Sequence, residues 1–291
     1  MDIIGHEKQR KALTTFFKKN RVPHAFLFSG QEKLGKRTVA MWFLKMINCE
    51  NKNAPCEKCR SCYEIKEGIH PDIINIYPHE KEIQLKQIEE LIEKMSMRGI
   101  KSSFKGAVID KAHLMNVQAQ NSILKTLEEP SKNTVLMLVT EYPGMLLPTI
   151  ASRTLQMKFL PVSEKEIILS TNDPLSASFS LGKPGKALDY LNFPEIKEEE
   201  NKSRKDLDRL MKEDLSYRFT RAKSISKEEN MEEVLKCWLS YTREKIREKI
   251  KKKEKTETLR KVLTEMERIV FLSSKTNINK QLALEKIMIK L

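Results

Sequence analysis

A short apolar run, Ala25-Phe-Leu-Phe28, feeds into Gly30-Gln-Glu-Lys-Leu-Gly35-Lys36-Arg37, and an apolar helical pattern from Thr38 to Ile47 follows at once. A strand that turns through two glycines into a helix constrains the fold more than any other stretch. Glycines let backbone N–H groups close around phosphates at a helix N-terminus, and a lysine there neutralises their charge. Gly30, Gly35 and Lys36 meet both demands. A Ser/Thr hydroxyl for Mg²⁺ should come next, and Arg37 stands there instead. Thr38 is a poor substitute, because one residue along a helix turns the side chain by about 100°. The alternative reading is a glycine turn without a ligand.

Further apolar runs, Ala107-Val-Ile-Asp110 and Val135-Leu-Met-Leu-Val139, have the character of strands buried on both faces of a parallel sheet. Ile73-Ile-Asn-Ile76 is a shorter strand, and Leu85, Ile88, Leu91, Ile92 and Met95 recur at helical spacing. Strands alternating with helices predict a doubly wound α/β layer. After Pro161 the strand pattern stops. Ser163-Glu-Lys-Glu has a capping-box pattern, turn residues interrupt between Phe179 and Leu188, and helices are expected from about residue 203 to the end.

Asp110 ends its strand as the acidic half of a phosphate-loop site should. The carboxylate expected next, to orient an attacking water, is replaced by Lys111. With Arg37, that makes two independent defects, and little or no intrinsic ATP hydrolysis is expected. His113 reads as a packed or solvent-facing residue rather than a catalytic one.

Cys49, Cys56, Cys59 and Cys62 form C-x6-C-x2-C-x2-C. Thiolates at this spacing can close a tetrahedral Zn²⁺ shell with no open position, which predicts a structural module over residues 49–62. Iron–sulfur ligation and four free thiols are the competing readings. Cys237, beside Trp238 in an apolar helical pattern, is expected to be a buried small hydrophobe.

The 54 Lys+Arg against 40 Asp+Glu give +14. That surplus suits an anionic partner such as nucleic acid, or reflects a lysine-rich proteome. Arg243 to Lys255 carries eight Lys/Arg and three Glu; such a run is more commonly a solvated face than a DNA-binding stripe. No eighteen-residue apolar run and no signal-peptide pattern are evident, so a cytoplasmic location without membrane association is expected.

Taken together, these residues resemble the clamp-loader subunits of bacterial DNA polymerase III, an AAA+ family, and among them the delta-prime type. The segments that carry the resemblance are Ile3-Ile-Gly-His6, Arg21 to Gly30, the cysteine module, Asn116 to Pro130, Ala151-Ser-Arg-Thr154 and Asn277 to Glu285. Ala151-Ser-Arg-Thr154 resembles the family's Ser-Arg-Cys motif, which implies that Arg153 is an arginine finger reaching a neighbour's ATP in trans. Thr140 fits the sensor-1 position. Gly182 to Ala187 resembles the sensor-2 segment, with Gly185 where a motor subunit has arginine.

The resemblance implies three domains: an AAA+ nucleotide-binding-like domain over 1–160, a small helical lid over 161–203 and an all-α collar over 204–291. It implies a non-hydrolysing subunit of the DNA-directed DNA polymerase (nucleotidyltransferase) holoenzyme that helps load the sliding clamp on primed DNA. Its partners would be gamma/tau and delta subunits, the clamp and primer–template DNA. Gly30, Gly35, Lys36, Arg37, Thr38, Asp110 and Thr140 would form a degenerate site that still permits ATP or ADP to bind. Three other readings stay open: an active gamma/tau-type ATPase, whose turnover would vanish on Lys36→Ala; a free-standing zinc-containing nucleic-acid-binding protein; and an ATP-independent assembly scaffold without any finger role.

Overall fold

The computed structural model describes residues 3–97, 99, 103–228, 230–275 and 279–291. The chain forms two compact units, Met1–Leu188 and Asp189–Leu291. In the first, α1 (Glu7–Lys18) precedes β1 (Ala25–Ser29), and the glycine loop leads into α2 (Lys36–Ile47). There follow α3 (Arg60–Glu67), β2 (Ile73–Ile76), α4 (Leu85–Ser96), β3 (Lys105–Ile109), α5 (Val117–Ser122) and α6 (Leu124–Glu128). The layer is completed by β4 (Thr134–Thr140), α7 (Pro148–Ser152) and β5 (Leu155–Lys158). All strand pairings are parallel, in the order β2-β3-β4-β1-β5. This is the doubly wound α/β architecture that the alternating pattern predicted.

Alternate side chains of the central strands fill two cores. Phe26 and Phe28 of β1 join Val135, Met137 and Val139 of β4 beneath Phe43 and Leu44 of α2. Ala25 and Leu27 point the other way, with Leu136 and Leu138, against Ile88 and Leu91 of α4. Each fully buried side chain of this size contributes about 1.5–3 kcal/mol, so burial on both faces fixes β1 and the loop that leaves it. The apolar pattern of the sequence does not mark β5. It pairs with β1 at one edge and its residues are largely exposed, so no apolar run announces it.

Three helices follow: α8 (Glu164–Thr171), α9 (Pro174–Phe179) and α10 (Pro184–Asn192). Ser163 caps α8 with the expected reciprocal bonds to Glu166. Ile4, Val162, Ile167, Ala177 and Ala187 form their small core.

The second unit is helical: α11 (Pro194–Leu210), α12 (Leu215–Ile225), α13 (Met231–Lys251), α14 (Glu257–Lys275) and α15 (Lys280–Lys290). Trp238, Leu235, Met266 and Leu284 lie in its core. Helix α11 begins nine residues before the expected 203, because its first turns hold one large apolar side chain, exposed Ile196, and leave no periodic signal. Cys237 is buried, as its setting predicted. Asn277 and Ile278, the start of the collar-like segment, lie outside the described residues. No helix among the described residues is long and apolar enough to cross a membrane.

Candidate functional site

The chain leaves β1 at Gly30, with φ 146°, and a Cβ there would come within 2.4 Å of the Phe159 carbonyl oxygen. Only glycine fits so close a backbone approach. Gly35 caps α2 at φ 87°, again a conformation that glycine adopts without strain. Lys36 opens the helix and its ammonium turns back into the loop, donating to Gly30 O at 2.7 Å and Gln31 O at 2.6 Å. Burial pulls its pKa down, while Glu141, Asp110 and Glu32 oppose the shift. Two more loop carbonyls are taken. Gly185 N donates to Lys33 O at 2.8 Å, and His6 Nε2 donates to Leu34 O at 2.7 Å. Four loop carbonyls are therefore satisfied by the protein itself.

The sensor-2-like Gly185 has a clear steric role. A Cβ there would meet Lys33 O at 2.9 Å, so the absence of a side chain lets the start of α10 lie directly on the loop. Arg37 does not point at Lys36. Its guanidinium hydrogen-bonds the Tyr77 hydroxyl and lies 5.0 Å over that ring, while its buried Nε has no hydrogen-bond partner. Thr38 sits half-buried one position further along α2.

Asp110 follows β3 and accepts from Lys111 N at 3.0 Å. Lys111 takes a left-handed conformation and reaches across to the loop, pairing with Glu32 at 3.5 Å. Thr140, fully buried at the end of β4, accepts from Gly30 N through its carbonyl. Its hydroxyl hydrogen-bonds His113 Nδ1 at 3.1 Å and accepts from Tyr142 N. Burial, with Lys111 and Lys36 nearby, holds His113 below its ordinary pKa. The loop, Asp110, Lys111, His113 and Thr140 thus form one constellation. His6, Glu32 and His113 belong to it although motif reasoning did not select them, since spacing along the chain carries no sign of these pairings. Where a hydrolytic site needs a carboxylate to steer water, this one presents an ammonium already engaged by Glu32.

The four cysteine sulfurs lie within 4.8 Å of one another. A tetrahedral Zn²⁺ at about 2.3 Å from each would set them about 3.8 Å apart, so a small contraction closes the shell. Backbone amides of Cys56, Cys59 and Cys62 donate to the sulfurs of Cys49, Cys56 and Cys59 respectively, at 3.2–3.4 Å. The Asn51 amide, with backbone N–H groups, brings Cys56 down to about 6, whereas burial pushes Cys49 and Cys62 up. Zn²⁺ binds thiolates, so a metal at this cluster would supply the charge that keeps its ligands ionised. Lys45 of α2, buried, pairs with Glu57 at 2.6 Å and ties the cysteine loop to the sheet layer. Beside it, Ser61 Oγ lies 3.4 Å from His70 Nε2. Asp72 N donates to His70 Nδ1, so Nε2 carries the proton and cannot act as a base toward Ser61.

Arg153 stands just past α7. Its Nη2 pairs with Glu128 of α6 at 2.7 Å and its Nη1 donates to Thr149 O, leaving the side chain 37% exposed. None of these partners belongs to the phosphate loop.

A family model described as DNA polymerase III, delta subunit, matches residues 5–163. The chain is 40% identical over 158 residues to DNA polymerase III subunit delta' of Bacillus subtilis (strain 168), covering 54% of this chain and 48% of that protein. It is 34% identical over 168 residues to DNA polymerase III subunit gamma of Buchnera aphidicola subsp. Acyrthosiphon pisum (strain APS), covering 57% and 46%. The chain spans about half the length of these curated relatives. Among solved structures, a DNA polymerase III gamma subunit-related protein from Thermotoga maritima MSB8 aligns with a TM-score of 0.54 over 95% of this chain and 97% of that one. At 18% identity, that likeness is one of fold alone.

Proposed function

Because the chain belongs to the family described as DNA polymerase III, delta subunit, we propose that it is a delta-prime-type clamp-loader subunit that completes a neighbour's ATP site and does not hydrolyse ATP itself. It assembles with gamma/tau and delta subunits and helps place the sliding clamp on primer–template DNA. The functional division is an AAA+ domain over 1–160, a lid over 161–203 and a collar over 204–291. The cysteine module holds a structural Zn²⁺ through Cys49, Cys56, Cys59 and Cys62.

The observation that supports this reading most is the engagement of Lys111 with Glu32 across the phosphate loop. Gly30, Gly35 and Lys36 would form the phosphate cradle, with Arg37, Thr38, Asp110 and Thr140 around it. ATP or ADP can be held there without the chemistry that cleaves it. Arg153 presents a partly exposed guanidinium beside a half-exposed carboxylate. Such a surface pair is worth about 0–1 kcal/mol, so a neighbour's triphosphate competes for the arginine at little cost.

Two measurements test the reading. The isolated chain with Mg²⁺-ATP should turn over no faster than its Lys36→Ala variant. In the reconstituted clamp loader, Arg153→Ala should lower clamp- and DNA-stimulated ATPase several-fold while subunit assembly is unchanged. Arg153→Lys should fail to restore it, because an ammonium lacks the planar fork. Full ATPase with Arg153→Ala would remove the finger role.

A further inference from the structure

The second unit carries 26 Lys+Arg and 20 Asp+Glu, a net of +6. Residues 247–261, where α13 ends and α14 begins, hold eight Lys/Arg and three Glu, a net of +5. Nearly the whole surplus of the unit therefore sits in fifteen residues. A uniformly lysine-rich composition would spread it along the chain.

Ion pairing separates this tip from the helix that leads to it. Before the tip, Arg243 pairs with Glu267 and Lys245 with Asp208; within it, Lys249 pairs with Glu254. Among the described residues, Arg247, Lys251, Lys252, Lys253, Lys255, Arg260 and Lys261 form no ion pair, and all seven are exposed. Helix electrostatics explains only part of this. Cations at the end of α13 suit its negative pole, but Lys255 and Arg260 flank the positive pole of α14, where cations are disfavoured. Arg247 and Lys251 lie one turn apart on the same face.

We propose that this α13–α14 tip is a docking surface for the sugar–phosphate backbone of duplex DNA. The segment contains no Phe, Tyr, Trp or His, so it offers no platform for stacking unpaired bases. Its chemistry is phosphate neutralisation, independent of sequence and steeply dependent on salt. The choice of DNA among polyanions rests on the clamp-loader reading; the location of the surface does not.

The test uses the full chain, a 25-base-pair duplex and a salt titration followed by fluorescence anisotropy. The variant Lys251→Glu/Lys252→Glu/Lys253→Glu should bind at least tenfold more weakly than wild type, with the log–log salt slope reduced by about 3. Lys18→Glu/Lys19→Glu/Arg21→Glu, an equal charge change at exposed sites in the first unit, should bind within about twofold of wild type. No duplex binding by wild type, or equal losses in both variants, would overturn the proposal. Polyglutamate displacing the duplex at equal charge would also overturn it and assign an acidic protein as partner. Assembly with sister subunits is scored on the same samples. Failure of wild type to assemble would sink the clamp-loader reading, whereas normal assembly with variant-insensitive DNA binding would sink the tip alone.

Discussion

At the scale of single residues, the cations of the nucleotide-like site already have hydrogen-bond or ion-pair partners within the protein. Lys36, Lys111 and Arg37 each have an internal partner in place of a ligand oxygen. The two histidines that brace the site are held neutral by burial: His6 against Leu34 O and His113 against Thr140. A folded pKa below 6.5 means the unfolded chain binds more protons in that window, so stability is complete above pH 6.5 and falls as pH drops below it. Each such proton changes stability by at most about 1.4 kcal/mol per pH unit. Glu265, held low by Lys290, also loses its contribution in acid, but only below the ordinary carboxylate range. Urea midpoints at pH 7.5 and 5.5 should therefore differ in wild type, and differ less in His6→Gln, which keeps a donor for Leu34 O. An identical pH response in that variant would show that His6 titrates as it does in the unfolded chain.

At the scale of elements, the glycine loop is braced by α10 as well as by its own helix. The Gly185–Lys33 contact allows no side chain, so Gly185→Ala must push the start of α10 off the loop or displace backbone. Overpacking of this kind typically costs about 1–3 kcal/mol. Gly144, whose Cβ position is open, provides the control, and Gly144→Ala should stay within about 0.5 kcal/mol. Equal chemical-denaturation midpoints for the two variants would refute the close approach. This contact also shows what was legible in the sequence. β1, β3, β4, α2 and α4 announced themselves because burial imposes an apolar run or a helical period on them. β5 and the start of α11 carry no such imprint, since neither is buried enough to need one. The cysteine cluster was readable because its residue type and spacing are those a metal site would require. Glu32–Lys111, Gly185–Lys33 and Arg153–Glu128 join segments far apart in the chain, and no local rule constrains such pairs.

At the scale of the whole molecule, two compact units with separate cores predict unfolding that is not a single transition. The sequence supplies a reporter, because each unit holds one of the two tryptophans: Trp42 on α2 and Trp238 within α13. Trp238 is fully buried among Leu235, Met266 and Leu284, so its emission follows packing of the second unit. The cysteine cluster belongs to the first unit, where the Lys45–Glu57 pair anchors it to α2. Metal binding stabilises only the unit that contains the site, since binding free energy adds to the folding of the segment it orders. In a Trp42→Phe background, Cys59→Ser should lower bound zinc and shift the melting transition of the first unit seen by circular dichroism. The Trp238 midpoint should stay where it was. A chelator should reproduce the same separation in the Trp42→Phe protein with its four cysteines intact. If Trp238 emission moved in step with metal loss, the two units would unfold as one cooperative body, and the division at residue 188 would have no thermodynamic meaning.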